Sequence, residues 1–208
     1  MEEFKTIAES ATGEIEEKRS RFIANIYYVE DEEQAKNYLK EIKKKYHDAK
    51  HNCFAYKVAK NGEVIERSSD DGEPSGTAGI PMLNIINGEG LCNILIIVTR
   101  YFGGILLGTG GLVRSYTEAA KAALSKAKIV EKIIGYEVRI VVSYAELDKF
   151  EYYARQKNLK ILSKSYNQNI EIIVEIPKEL KQDFLNCDNN SLLKITNCDF
   201  LKEKYIDK

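Results

Sequence analysis

No two cysteines in this chain form a Cys-x-x-Cys pair; Cys53, Cys92, Cys187 and Cys198 are scattered. Their spacing supports neither a zinc ribbon nor a thioredoxin-like motif, so four reduced thiols serving as small core residues are expected. Histidine is scarce as well, with only His47 and His51. Four apart, they would share a helix face, but the segment after them reads as a strand. No third ligand stands at a recognisable spacing, so no metal site is expected. A Cys53–His51 nucleophile pair is conceivable from spacing alone, since residues two apart in a strand share a face. No apolar run approaches the roughly 18 residues of a membrane span, and Met1-Glu2-Glu3-Phe4-Lys5 lacks the basic-then-apolar order of a signal peptide. The expectation is a cytoplasmic protein with no membrane attachment. Charge excess is missing too: 31 basic residues face 32 acidic ones, whereas a general nucleic-acid coat would be basic overall. No Pro/Ser-rich linker interrupts the 208 residues, of which 44% are hydrophobic and 30% charged. That length and composition suit one large or two small globular domains.

What the chain does have is a concentration of glycine. Five of its 13 glycines fall between Gly103 and Gly111, after the apolar run Ile94–Val98 and before an alanine-rich helical pattern. Glycine gives up more backbone freedom on folding than any other residue, so this density calls for a backbone with positive φ or one approached closely. A strand, a glycine-rich turn and a helix in that order aim backbone N–H groups at an anion, and the helix dipole adds to the attraction. The candidate anion or nucleic-acid site is therefore Arg100, Gly103, Gly104, Gly108, Thr109, Gly110, Gly111 and Arg114, the arginines offering bidentate phosphate contacts. Neither Gly-x-Gly-x-x-Gly nor the Walker A spacing occurs, so no particular nucleotide is indicated. Close packing of a helix on a sheet would explain the glycines equally.

A second candidate is the acidic loop from Asp70 to Pro81. Asp70, Asp71 and Glu73 place three carboxylates within four residues, which repel unless solvated, bound to a cation or met by basic side chains. With His51 they could hold a divalent ion or act as a base; they could also pair with Arg67, Arg100 or Arg114 and simply shape the loop.

Along the chain, residues 4–29 read as strands, with Phe22, Ala24, Ile26 and Tyr28 alternating against Arg21, Ile23, Asn25 and Tyr27. Asp31 and Gln34 form a capping-box pattern for a helix with Ala35, Leu39, Ile42 and Tyr46 on its apolar stripe and five lysines elsewhere. A strand over 52–59 turns at Asn61-Gly62, the strongest short hairpin signal. A short helix or turn is expected over 82–86, a strand over 92–99, and a helix marked by Leu112, Tyr116, Ala119, Ala120, Ala123, Leu124 and Ala127. The pattern restarts near 133–135: a strand through Val138–Val142, a Ser143/Glu146 capping box before a helix with Phe150 and Ala154, strands over 159–166 and 169–176, Pro177 in the first turn of a helix with Phe184, and a strand over 192–201. That is β-α-β-β-α-β. The fold class is α+β, with domains at 1–133 and 134–208.

Three blocks carry a resemblance. Ala49-Lys50-His51-Asn52-Cys53-Phe54-Ala55-Tyr56, Asp70-Asp71-Gly72-Glu73-Pro74-Ser75-Gly76-Thr77-Ala78-Gly79-Ile80-Pro81, and Arg100-Tyr101-Phe102-Gly103-Gly104 through Gly108-Thr109-Gly110-Gly111-Leu112-Val113-Arg114 resemble the signature blocks of the YigZ/IMPACT family. The resemblance implies a first domain similar to domain 2 of ribosomal protein S5, a mixed sheet with helices on one face. The tail is similar to the ferredoxin-like domain V of elongation factor G. Nucleic-acid binding has been proposed for bacterial members, while eukaryotic relatives regulate translation through an additional RWD domain. That domain is not expected here, where strand patterns begin almost at Met1. The implied partner is RNA or a ribosomal or translation component, and no cofactor is implied. An enzyme acting on a phosphorylated small molecule or nucleotide, and a protein-interaction module, are the alternatives.

Overall fold

The computed structural model describes residues 3–60, 63–186 and 194–208. It divides into two compact units, Glu3–Val130 and Glu131–Lys208.

The first unit is built on a five-stranded sheet of β2 (Ala11–Glu17), β3 (Ser20–Tyr28), β4 (His51–Lys60), β5 (Glu63–Ser69) and β6 (Ile94–Tyr101). Its order is β2-β3-β6-β4-β5, and every neighbouring pair is antiparallel. A short β1 (Glu3–Ile7) precedes it. The apolar run becomes the central strand β6, completely buried from Ile94 to Val98. Side chains alternate across a strand, so Ile94, Ile96 and Val98 enter one core and Leu95 and Ile97 another. Both faces are therefore covered. The α+β class stands, but two expected details do not: the sheet is antiparallel rather than mixed, and helices cover both faces rather than one. The unbroken apolar run is the physical reason, since a strand with one face in water would alternate with polar residues.

On one face lies α1 (Glu32–Lys45), burying Ala35, Leu39 and Ile42 against Tyr56, Val58, Leu95 and Ile97. Its expected cap forms: Asp31 Oδ1 accepts from the Gln34 N–H at 3.0 Å, and Gln34 Oε1 reaches back to the Glu30 N–H at 3.0 Å. The other face carries α2 (Gly79–Gly88) and α3 (Gly108–Leu124). Alanines at 119, 120 and 123 bring α3 close to the sheet, and Gly13 in β2 completes the fit. A Cβ on Gly13 would stand 2.3 Å from the Ala123 amide nitrogen. Both helices start earlier than the apolar pattern suggests; α2 takes in Gly79–Pro81, and Gly108–Gly111 form the first turn of α3 rather than a loop. The expected Asn61-Gly62 turn lies outside the described residues, although Lys60 pairs with Glu63 across it.

The second unit has the expected order: β7 (Ile129–Val142), α4 (Leu147–Gln156), β8 (Lys160–Tyr166), β9 (Ile170–Pro177), α5 (Lys181–Leu185) and β10 (Ile195–Asp207). The strands line up as β8-β9-β7-β10, all antiparallel, which is the split βαβ arrangement. Val138, Ile140, Val142, Ile170, Ile172, Val174 and Ile176 face Phe150 and Phe184 in its core. Three local expectations are corrected. β7 runs unbroken through 133–135. Ser143 makes no side-chain cap; its carbonyl accepts from Glu146 N–H in a 3-10 turn, and the Glu146 carboxylate pairs with Lys149. Pro177 ends β9, and a 3-10 turn over Lys178–Leu180 precedes α5. The expected start of the last strand at 192–193, like Cys187, lies outside the described residues.

Candidate functional site

Register explains why distant blocks meet. His51 stands directly opposite Arg100, and Arg100 opposite Phe22, so all three share the sheet face that packs α2 and α3. Arg100 is 7% exposed, and its Nη1 donates to both oxygens of Glu73 at 2.7 and 3.0 Å. Phe22 and Phe102 rings lie 5.5 Å from its guanidinium carbon. Tyr116, fully buried on α3, donates its hydroxyl hydrogen to Glu73 Oε1 at 2.8 Å. Cys53 Sγ lies 3.3 Å from that hydroxyl oxygen and 2.9 Å from the Asp70 carbonyl. One buried chain of polar contacts thus runs from the acidic loop through Cys53 and Tyr116 to Glu73 and Arg100.

Each loop carboxylate is already engaged. Asp70 accepts from the N–H groups of Gly76, Ala78 and Gly79 at 2.8–2.9 Å. Burial opposes its ionisation, but the bonds from Gly79, Gly76 and Ala78 outweigh that and hold the carboxyl below its usual value. Asp71 Oδ2 accepts from the Asn52 N–H at 2.8 Å and Oδ1 from Lys43 Nζ at 2.9 Å. Glu73 belongs to Arg100. Among the described residues no group of three or more His, Cys, Asp or Glu side chains could hold a metal ion. His47 is exposed in the turn after α1, while His51 begins β4.

The Cys53–His51 pairing does not form. His51 Nδ1 stands 2.9 Å from the Asp71 carbonyl oxygen, and burial pushes the Cys53 thiol up to about 12. A thiol held protonated at neutral pH is a poor nucleophile. Burial also pushes Tyr116 up, helped by its Cys53 and Glu73 neighbours.

The glycine-rich segment has two halves with different tasks. Gly103 is a packing residue: a Cβ there would lie 2.1 Å from the Arg19 carbonyl carbon, and its N–H donates to Ser20 Oγ at 3.1 Å. Gly104 and Gly108 adopt φ of 84° and 70°, so both need glycine's freedom. Between them Ile105 and Leu106 are exposed. Gly108, Thr109 and Gly110 open α3 to solvent, and Leu107 at its N-cap position offers no side-chain hydrogen bond. The first amides of the helix therefore lack the usual side-chain partner.

Beside that helix start is a cavity of about 310 Å³ lined by Ile15, Glu17, Lys18, Leu107, Gly111, Arg114, Ser115 and Glu118. Arg114 faces it, and among the described residues it has no ion-pair partner and no bond to Arg100 or Glu73. The structure therefore gathers His51, Asp70, Asp71, Glu73 and Arg100, and places Arg114 with the start of α3 instead. Sequence reasoning missed Lys18 and Arg19. They form the two-residue turn between β2 and β3, with φ of 48° and 66°. Such turns favour Asn-Gly, and a non-glycine residue at positive φ costs on the order of 1 kcal/mol or more. The signal was two basic residues between alternating strands with no turn glycine; the backbone of Gly103 packed on Arg19 helps hold them there.

Comparison with known proteins follows this division. The Impact N-terminal domain family model matches residues 18–124, and Domain of unknown function (DUF1949) matches 140–186. IMPACT family member YvyE of Bacillus subtilis is 36% identical over 171 residues, which cover 82% of this chain and 78% of that protein. IMPACT family member YigZ of Escherichia coli is 34% identical over 185 residues, covering 88% and 91%. A Protein IMPACT homolog of Dictyostelium discoideum is 41% identical over 97 residues, covering 45% of this chain and 28% of that protein. Among solved structures, one described as a crystal structure of a hypothetical protein has a TM-score of 0.66 and 32% identity, spanning 98% of this chain and 100% of that one.

Proposed function

The chain belongs to the IMPACT family, and from that premise we propose that it is a binding protein linked to translation, engaging RNA phosphates at the start of α3. The observation that carries this reading is a pair of cations, Lys18 and Arg114, that share one cavity beside that helix end with Glu17 and Glu118. Gly111 of the first turn of α3 lines that cavity too, and the backbone of Arg19, next to Lys18 in the turn, packs on Gly103. None of Lys18, Arg19 and Arg114 has an ion-pair partner among the described residues. A helix N-terminus without a side-chain cap supplies amide donors and partial positive charge, and unpaired basic side chains add full charges. The surface need not be basic overall, because the phosphate field is met locally.

Arg100 has no such role in this reading, because Glu73 neutralises it and Phe22 and Phe102 enclose it. The exposed Lys36, Lys40, Lys44 and Lys45 on α1 extend positive charge to the opposite face of the sheet. The translation link rests on the family: its eukaryotic members, to which the resemblance assigns control of translation, share the N-terminal domain with this chain. The enzyme alternative has less to draw on, since Asp70, Asp71 and Glu73 all have partners within the fold.

Binding of a fluorescein-labelled oligouridylate, followed by anisotropy across a salt series, tests the proposal. Affinity should fall with salt, with a slope of about 0.7 per phosphate contact on a single strand. Lys18→Ala and Arg114→Ala should each weaken binding and lower the slope by about that amount. No binding at low salt, or binding indifferent to salt, overturns it.

A further inference from the structure

His51 is oriented as if its outer nitrogen had a task. A carbonyl oxygen can only accept, so the 2.9 Å contact with Asp71 fixes the proton on Nδ1 and leaves Nε2 as an acceptor in the neutral ring. The Asp71 carbonyl is itself held with care. Asp71 takes φ of 42°, a left-handed conformation unfavourable for a residue with a Cβ, and its carboxylate is pinned by Asn52 N–H and Lys43. Gly72, at φ of 89°, lies against the ring; a Cβ there would touch Nδ1 and Cε1 at 3.4 and 3.5 Å. These contacts fix the Nδ1 side of the ring against the acidic loop. Among the described residues Nε2 has no partner, and the ring is half-buried.

Its cross-strand neighbour is the second observation. Arg100 is 7% exposed, and its Nε–H is buried with no hydrogen-bond partner. A buried unpaired donor is uncommon and asks for an explanation. Side chains directly opposite on antiparallel strands have Cβ atoms about 5 Å apart. One side of this pair therefore lacks a donor, and the other lacks an acceptor. A hydroxyl supplies both, donating its hydrogen to Nε2 and accepting from Nε–H through a lone pair.

We propose that His51 and Arg100 form a recognition point for a ribose 2′-hydroxyl, by which the protein distinguishes RNA from DNA. This rests on the RNA reading above. In chain and register the pair stands close to the turn that carries Lys18 and Arg19. Gly103 follows Arg100 by three residues, and Arg19 precedes Phe22, the residue opposite Arg100, by three; each interval is about 10 Å of extended chain. Phe102, half-exposed over the Arg100 guanidinium, is the side chain that must shift for the hydroxyl to reach Nε. The 2′-hydroxyl is the group by which a protein separates RNA from DNA at a given position.

The experiment compares oligouridylate, oligodeoxyuridylate and 2′-O-methyl oligouridylate on the intact protein at one salt concentration. RNA should bind about tenfold more tightly than the deoxy strand. The 2′-O-methyl strand, which keeps the oxygen but cannot donate, should bind like the deoxy strand. His51→Phe should bring the RNA-to-DNA ratio towards one, with circular dichroism reporting its fold. The methylated strand tests the idea without any mutation. If RNA and deoxy strands bind equally, or the methylated strand binds like RNA, the proposal fails while the phosphate reading stands. If no strand binds, both fail.

Discussion

Glu73 and Arg100 form a buried ion pair, with side chains 3% and 7% exposed and the nearest nitrogen and oxygen 2.7 Å apart. The pair joins the acidic loop to the end of β6, and Tyr116 ties it to α3. Removing one partner leaves a charge buried without compensation. Glu73→Ala should therefore destabilise the N-terminal unit by about 3–5 kcal/mol. Replacing both, as in Glu73→Gln with Arg100→Met, should cost less than the single change. Urea unfolding of Glu73→Ala, Glu73→Gln, Arg100→Met and the double mutant checks this; a double mutant as unstable as the sum of its two component changes would show that the two side chains do not act as a pair.

Tyr116→Phe removes a hydroxyl that donates to Glu73 and contacts the Cys53 sulfur. A loss of about 1–3 kcal/mol is expected, because it leaves buried polar partners unsatisfied without opening a large cavity. Equilibrium unfolding would measure it.

The Cys53 thiol, pushed up to about 12 by burial, should resist alkylation by iodoacetamide at pH 8 in the native protein. In a Cys187→Ser background, half-buried Cys198 should be modified before Cys53 or Cys92. Mass spectrometry after partial labelling gives the order, and early modification of Cys53 would contradict its placement.

Asp70 supplies an acid-dependent share of stability. Its carboxyl is held below its usual value of 3.8, so the folded state binds a proton less readily than the unfolded chain. The contribution is fully present above the unfolded value and is lost as pH falls through the lower folded value. Asp70→Asn should flatten the acid limb of the stability curve below about pH 4. Thermal midpoints of both proteins between neutral and acid pH would show whether it does.

Two glycines separate packing from ligand approach. Gly103→Ala should be strongly destabilising, because its Cβ would fall 2.1 Å from backbone. Gly110 is helical and a Cβ there would meet nothing within 4 Å. Gly110→Ala should raise stability by about 0.5–1 kcal/mol. If phosphate approaches the α3 backbone at this point, the same change should weaken RNA binding, so stability and affinity would move in opposite directions.

Much of the fold could be read from local pattern. The apolar run of β6, the Asp31/Gln34 cap and the alternating strands of the second unit are short-range signals, and each has one structural solution. Helix starts were harder to read. Gly108–Gly111 and Gly79–Pro81 are helical although glycine and proline are weak helix formers; tertiary packing of the apolar residues that follow outweighs local propensity. The family blocks lie on segments that the fold brings together around Glu73 and Arg100, whereas Lys18 and Arg19 lie outside them.

The sequence alone determined the glycine-rich strand–turn–helix, the acidic loop and the cluster of chemistry-bearing residue types within three blocks. Only the tertiary structure decided what those residues face. Antiparallel register set His51 beside Arg100; burial then gave Arg100 to Glu73 and left Lys18 and Arg114 on the cavity beside the start of α3. Strand pairing and packing of residues far apart in the chain assign partners to charges, and no local spacing records which cation is neutralised and which remains available.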